Sequence, residues 1–292
     1  MKIAVFGNNF NRDADKFVKR FFDLLVSKDI DVFINNHLAE YYAQFHSIPD
    51  FFTIRNKESL IENDTDFLIS IGGDGTILDT ITSVRNTNVP ILGVNTGRLG
   101  FLANNTKEEM TSAVEKLIER KFSIDSRTLL SLHANKPFFG KDNFALNEFT
   151  LHKKDSSTMI TIHVHVDGKF LNSYWADGII IATPTGSTAY SLSCGGPLLT
   201  PGSDNFVITP IAPHNLNLRP LVVKDNVEIS LTMEAREKEL LATLDSRSQT
   251  INKDVKLNLK KADFTINLIQ FEGQNFFSTI RNKLYWGKDV RN

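Results

Sequence analysis

In this chain of 292 residues, short apolar runs alternate with stretches of helical period only as far as residue 123 or so. That break decides what the chain can fold into. Residues 3–6 form an apolar run stopped by Gly7-Asn8-Asn9, after which Phe17, Phe21, Leu24 and Leu25 recur at i, i+4, i+7 and i+8. A strand and then an amphipathic helix are predicted there. Further strands are predicted over 30–34, 67–71 and 90–94, with helices near 37–46, 76–86 and 107–121. The last helix is the best signalled: Thr106 and Glu109 have capping-box spacing, and Met110, Ala113, Val114, Leu117 and Ile118 make one apolar stripe. Such alternation predicts an α/β domain over 1–125, a parallel sheet with helices on its faces. Beyond it come short β-rich segments, 129–133, 159–166, 178–182, 206–211, 227–232 and 264–269, divided by turn signals such as Asp167-Gly168 and Lys224-Asp225-Asn226. An all-β domain is expected over 126–270. Residues 276–286 read as a short helix, and the segment 271–292 is expected to pack back on the first domain.

Composition narrows the function. Thirty-three Lys and Arg against 34 Asp and Glu leave a net charge of −1, so no global field draws a nucleic-acid backbone or an anionic membrane. With 41% hydrophobic and 23% charged residues, the chain is neither disordered nor collagen-like. Cys194 is its one cysteine, which excludes an intramolecular disulfide framework and suits a reducing cytoplasm. The apolar run before Gly7 is far shorter than the roughly 7–15 residues of a signal-peptide core, and no stretch approaches the roughly 18 of a membrane span. The expectation is a cytoplasmic protein acting on small molecules, with neither nucleic acid nor membrane as partner.

Ile69-Ser70-Ile71 runs into Gly72-Gly73-Asp74-Gly75-Thr76. Glycines at these positions allow a tight turn and a close approach to a ligand, and the helix that follows directs free N–H groups into the turn. A phosphate cradle is one reading, and a plain strand-to-helix turn capped by Asp74 is the other. Asp74 is the odd member, because phosphates repel a carboxylate unless it binds a cation or takes a proton from a hydroxyl. Neither a Walker A loop nor Gly-x-Gly-x-x-Gly occurs. A second loop, Gly93-Val94-Asn95-Thr96-Gly97-Arg98-Leu99-Gly100-Phe101, follows the fourth predicted strand, and loops at neighbouring carboxyl ends share one crevice. Phe101 either stacks on a base or packs.

In the second half, Asn147-Glu148 interrupts an apolar segment. An amide beside a carboxylate can bind the two hydroxyls of a ribose; alternatively, one of the pair faces water. The densest stretch, Thr183-Pro184-Thr185-Gly186-Ser187-Thr188-Ala189-Tyr190-Ser191-Leu192-Ser193, offers hydroxyls and amides at the mouth of a possible helix, a neutral phosphate or adenine site. Tyr190 is a base-stacking candidate, and Asp177 either binds an amide or amine or makes an ordinary Asp-Gly turn. His214 and Arg219, between Pro213 and Pro220, read as loop-fixing. No His-x-x-x-His, second cysteine or Gly-x-Ser-x-Gly occurs to build a metal cluster or a nucleophile elbow.

In chain order, Gly72-Gly73-Asp74-Gly75-Thr76, Asn95-Thr96-Gly97 with Leu99-Gly100-Phe101, Asn147-Glu148, Asp177-Gly178, residues 183–193 with Gly195-Gly196-Pro197, and His214 with Arg219-Pro220 resemble the bacterial NAD kinase family over 66–245. The GGDGT turn alone is shared with diacylglycerol and sphingosine kinases, whereas Thr-Pro-Thr-Gly-Ser-Thr-Ala-Tyr is far more specific. The resemblance implies a flavodoxin-like open sheet, an all-β NAD-binding domain, an active site between the two, and a homodimer or homotetramer. It implies ATP-dependent phosphorylation of NAD at the adenosine ribose 2′-hydroxyl, with Mg²⁺ or another divalent cation held mainly by substrate phosphates and no dedicated metal site. By position it implies Asp74 at that hydroxyl, Gly72, Gly73 and Gly75 at phosphate, and Asn147 and Glu148 at ribose. Asp177 would face the nicotinamide end, and Thr188, Ala189, Tyr190 and Ser193 the adenine or ribose pocket, while Thr76, Phe101 and Ala212 complete the nucleotide-binding set.

The chain departs from the family pattern at Cys194, Ala176, Trp175 and Leu244-Asp245-Ser246, the last leaving the role of Asp245 open. A lipid kinase of the same superfamily and a dinucleotide-binding regulator without catalysis are the alternative readings.

Overall fold

The computed structural model describes residues 1–8, 15–49, 52–61, 64–97, 100–154 and 158–287. Asn9, Arg98 and Leu99 of the loops above lie outside them. The chain divides into two compact units, Met1–Ser126 with Ile266–Asn292, and Arg127–Thr265.

The first unit opens with β1 (Lys2–Gly7), α1 (Asp15–Ser27), β2 (Asp31–Asn35), α2 (Asn36–Ala43), β3 (Phe52–Arg55), β4 (Phe67–Ile71), α3 (Asp74–Val84), β5 (Ile91–Asn95), β6 (Asn105–Thr106) and α4 (Met110–Ile118). Strands pair in parallel in the order β3-β2-β1-β4-β5, and β6 pairs in parallel with β5. The open parallel sheet is as expected. Its order is that of doubly wound dinucleotide folds, not the 2-1-3-4-5 of flavodoxin. Every residue of β4 and β5 is buried, which is why these strands read as continuous apolar runs and not as alternating ones. The order reverses between β1 and β4, so the turn leaving β4 lies at a topological switch point, where open α/β sheets leave a crevice.

Helix α1 buries Val18, Phe21, Phe22 and Leu25. The Phe22 ring meets Tyr42 and Phe52 edge-on at 5.0 and 4.9 Å between centroids. The capping box is present: Thr106 N–H and Oγ1 both donate to Glu109 Oε2, but they cap a short 3₁₀ turn, Lys107–Glu109, ahead of α4. Met110, Ala113, Val114 and Leu117 are buried as expected, whereas Ile118 is 41% exposed. It sits about 100° around the helix from Leu117, off the stripe.

The second unit is all β, and the chain passes between units within β7 (Ser123–Ala134) and β18 (Leu257–Gln270). Between them come β8 (Phe144–Ala145), β9 (Glu148–Lys153), β10 (Ile160–Val166), β11 (Lys169–Ala176), β12 (Gly178–Ala182), α5 (Tyr190–Ser193), β13 (Asn205–Ile211), β14 (Leu221–Lys224), β15 (Ile229–Glu234), β16 (Glu239–Leu244) and β17 (Arg247–Asn252), and after β18 comes α6 (Phe276–Lys283). One antiparallel sheet runs β14-β13-β12-β9-β16-β17, and β11-β10-β15-β18 pair antiparallel in another. Alternate residues such as Phe149, Leu151, Ile179 and Ile181 share a core with Ile162, Val164, Leu231 and Leu257. Asp167 and Gly168, both at positive φ, form the two-residue turn joining β10 to β11.

Replacing Phe22 by Ala is expected to cost about 3–5 kcal/mol of stability in urea denaturation, and Ile118→Ala to stay within about 0.5 kcal/mol. Equal effects would contradict the packing described.

Candidate active site

The turn after β4 is built around Gly72, whose φ of 155° and lack of side chain are both needed, since a Cβ there would lie 2.1 Å from Thr76 Oγ1. Thr76 is therefore part of the turn's packing. Gly73 occupies the N-cap position of α3, and Asp74 is the first helical residue. Asp74 does not cap the helix. Its carboxylate reaches the second loop instead: Oδ2 accepts the Phe101 N–H at 2.8 Å, and Oδ1 accepts those of Leu102 and Ala103 at 3.0 Å each. Gly100 makes the room, because a Cβ there would fall 1.8 Å from Asp74 Oδ1.

Gly73 and Gly75 differ from Gly72: among the described residues, no atom beyond their chain neighbours and the helix's own backbone lies within 4 Å of where a Cβ would stand on either. Their missing side chains keep that space open, and the N–H groups at the start of α3, unused by the helix itself, border it. Lys283, at the end of α6, brings its Nζ to 3.7 Å from Asp74 Oδ2 and 5.0 Å from the Phe101 ring centroid. Gln274, just before α6, donates to Asn104 O and Asn105 Oδ1 and ties the helix to the same loop. A polar cavity of about 410 Å³ at the carboxyl ends of β1, β2 and β3 is lined by Asn8, Asn35, Asn36, Lys57 and Asp79. Asp79 is on α3, five residues after Asp74, and accepts a bond from Asn8 Nδ2 at 3.4 Å.

In the second unit, Ala182 at the end of β12 pairs with Glu148 at the start of β9. The turn from Thr183 packs directly on Asn147: Thr183 N–H donates to Asn147 O at 2.9 Å, and a Cβ on Gly186 would lie 2.0 Å from that oxygen. Most hydroxyls of this stretch hold the turn itself. Thr185 accepts from Arg127 Nη1, Ser187 Oγ donates to Pro184 O and accepts the Leu199 N–H, Thr188 donates to Thr185 O, and Ser191 shares a hydrogen with Thr209. Thr188 and Ala189 are half-buried at its rim, while Tyr190 and Ser193 are exposed.

Glu148 does not face water; it is 9% exposed, accepts the Tyr190 N–H, and has Oε2 buried with no partner among the described residues. Burial, reinforced by the nearby Asp245, pushes its carboxyl up to about 8. The Asp245 side chain is itself wholly buried, and its carboxylate accepts the N–H groups of Leu146, Asn147 and Glu148 at 2.9, 2.8 and 3.3 Å, with Arg247 Nη2 3.7 Å away. Burial raises the Asp245 carboxyl, and those N–H groups and Arg247 oppose the rise. Its position fixes the backbone of Asn147 and Glu148.

Asp177 stands at the other end of β12, about 16 Å along the strand. It is not an isolated turn: its N–H donates to Ile211 O, and its carboxylate pairs with Lys153 Nζ at 2.5 Å. Ala212, beside it at the end of β13, takes a left-handed φ of 44°, uncommon for a residue with a Cβ. Tyr190 is under the influence of both ends: burial raises its hydroxyl, as do its bonded Cys194 thiol, Asp177 and Glu148. His214 lies against Trp175 at 4.2 Å between ring centroids and Arg219 bonds Leu216 O and Leu218 O, so both fix their loop.

Thus Gly72, Gly73, Asp74, Gly75, Thr76 and Phe101 come together in the first unit. In the second, Asn147, Glu148, Thr188, Ala189, Tyr190 and Ser193 cluster, with Asp177 and Ala212 farther along β12. Lys283 joins the first group without any signal in the sequence, being more than 200 residues from Asp74; Gly100 belongs to the second loop's motif, but its service to the Asp74 carboxylate leaves no local pattern. Among the described residues, no three His, Cys, Asp or Glu side chains gather to hold a metal ion, and no helix is long and apolar enough to cross a membrane.

Models of the ATP-NAD kinase N-terminal and C-terminal domains match residues 3–122 and 146–271. A protein of Cytophaga hutchinsonii named NAD kinase is 47% identical, with all of both chains covered. The crystal structure of an NAD kinase from Archaeoglobus fulgidus in complex with ATP superposes with a TM-score of 0.76 at 26% identity, over 98% of this chain and 99% of that one. Yeast NADH kinase complexed with NADH shares the fold, with a TM-score of 0.89 at 24% identity over 99% and 89% of the respective chains. Matched in both domains and along its whole length, the chain belongs to the ATP-NAD kinase family.

Proposed function

We propose that the chain transfers the γ-phosphoryl group of ATP to the 2′-hydroxyl of the adenosine ribose of NAD, yielding NADP and ADP. The observation that carries the chemistry is Asp74, a carboxylate held by three backbone N–H groups beside a glycine turn whose outer side is open. The ribose oxygen bonds to the γ-phosphorus, the bond from that phosphorus to the β,γ-bridging oxygen breaks, and its electron pair leaves with ADP. The hydroxyl proton passes to Asp74. Because phosphoryl transfer has a loose transition state, positioning and charge neutralisation dominate, and a carboxylate is base enough.

Backbone N–H groups at the start of α3 face the phosphates. A divalent cation, Mg²⁺ foremost, supplies further neutralisation when bound. One carboxylate, Asp74, beside N–H groups that suit phosphate oxygens and not a metal, fits a cation carried mainly by the nucleotide's own phosphates. For NAD, the buried Oε2 of Glu148, unpartnered among the described residues, and the Asn147 amide supply ribose contacts, and Tyr190 supplies a stacking face, with Thr188, Ala189 and Ser193 at its rim. Asp177 and Ala212 serve the nicotinamide end. The proposed setting is a cytoplasmic homo-oligomer.

Asp74→Asn is expected to lower kcat by roughly 10²-fold or more with little change in the KM for NAD. It removes the proton acceptor and sets an amide N–H₂ against N–H donors; unchanged turnover in an NADP-forming assay would leave Asp74 a purely structural anchor. Tyr190→Ala is expected to raise the KM for NAD with kcat nearly kept, and a loss confined to kcat would contradict the stacking role. Glu148, with its ordinary value of 4.5 pushed up to about 8, takes up a proton on folding between those limits. Its contribution to stability is full below the lower value and lost as pH rises through the upper one. Glu148→Gln is therefore expected to gain on the parent protein from about pH 5 to about pH 9, on the order of a few kcal/mol in urea denaturation. Parallel pH curves would show that the buried acid does not titrate in this way.

A further inference from the structure

We infer that Lys283 is a catalytic residue whose ammonium binds the transferring phosphoryl group of the donor nucleotide; the inference rests on the kinase reading of the site. The strand, turn and helix that carry Asp74, residues 67–84, contain no Lys or Arg. A glycine-rich phosphate loop of the P-loop kind carries its own lysine. Here that loop position carries an acid, and a cation facing it, Lys283, comes from more than 200 residues further along the chain.

The geometry of Lys283 is that of a charge held ready, not of a structural ion pair. Its Nζ is 3.7 Å from Asp74 Oδ2, beyond the roughly 2.7–2.9 Å of a charge-assisted hydrogen bond. Asp74 has no need of it, since both carboxylate oxygens already accept backbone N–H groups. Phe101 holds the ammonium from another side, its ring centroid 5.0 Å away. The lysine side chain is one-third exposed and carried on a four-carbon stem, so its tip can move by ångströms while α6 stays still. The helix itself is anchored at its start, where Asn275 accepts the Ser278 N–H and Gln274 bonds Asn105.

When the triphosphate occupies the open side of the glycine turn, Lys283 exchanges the Asp74 carboxylate for a γ-phosphoryl oxygen. No bond of its own is made or broken. Its charge opposes the negative charge on the group in flight, and Asp74, relieved of the cation, is left to receive the 2′-hydroxyl proton. The same residue thus serves both substrates of the transfer.

The test compares Lys283→Met, Lys283→Arg and Arg281→Met in the full chain, by steady-state NADP formation and by ATP binding in titration calorimetry. Arg281 is an exposed cation on the same helix and serves as the control. Lys283→Met is expected to lower kcat by about 10²-fold, to weaken ATP binding several-fold, and to leave the KM for NAD and the melting temperature nearly unchanged. Lys283→Arg is expected to restore a large part of the loss, and Arg281→Met to behave as the parent. Parent-like turnover in Lys283→Met would overturn the inference. So would a loss that Lys283→Arg does not restore and Arg281→Met shares, since that pattern is one of helix stability. A parent protein that forms no NADP, while Lys283→Met still weakens ATP binding, would refute the kinase reading and support the phosphate contact.

Discussion

Three backbone N–H groups converge on one carboxylate, and the first unit is arranged so that they can. The parallel neighbours β4 and β5 end side by side and release their two loops at the same edge of the sheet. Asp74 crosses from the first loop to the second, and Gly100 lacks the Cβ that would block it. With the loops joined, the outer backbone of Gly73 and Gly75 faces space that no described residue fills, the Phe101 ring is fixed, and Lys283 has two partners to lean against. Remove the carboxylate and the loops lose the tie that sets them relative to each other.

The second unit uses the same device for a different end. Asp245 also accepts three backbone N–H groups, from the consecutive residues Leu146, Asn147 and Glu148. The two acids differ in access. The Asp74 side chain is 28% exposed and that of Asp245 not at all, so one can meet a substrate and the other can only shape the backbone that does. The backbone that Asp245 shapes is also the surface on which Gly186 and the turn from Thr183 rest. Glu148 is thereby held as a buried acid with one oxygen lacking a partner among the described residues.

Much of this was legible in residue order. Apolar runs marked β4 and β5 because helices bury them on both faces, and the turn glycines marked the edge at which loops and crevice lie. Strands such as β3, β16 and β17 carry little sequence signal because polar residues occupy much of their outer faces and the period is short; in β3 only Phe52 is buried. Ile118 follows Val114 at i+4 and so reads as part of the stripe, yet at the end of α4 it falls just beyond the buried face and is exposed. The hydroxyls of residues 183–191 looked like ligand donors, yet most are used to hold the turn, because a buried bend has to satisfy its own carbonyls and N–H groups. Spacing leaves Asp74 as a cap or a catalyst, and its backbone partners, 27–29 residues away, exclude the cap. Lys283 had no local signal at all, since its meaning comes only from where α6 ends.

The most direct test of the central claim is ³¹P NMR of the products formed by the purified protein from NAD, ATP and Mg²⁺. The expected product is a phosphate monoester on the 2′-oxygen of the adenosine ribose, appearing in step with ADP. ATP consumed without that ester, or phosphate attached to any other hydroxyl, would contradict it.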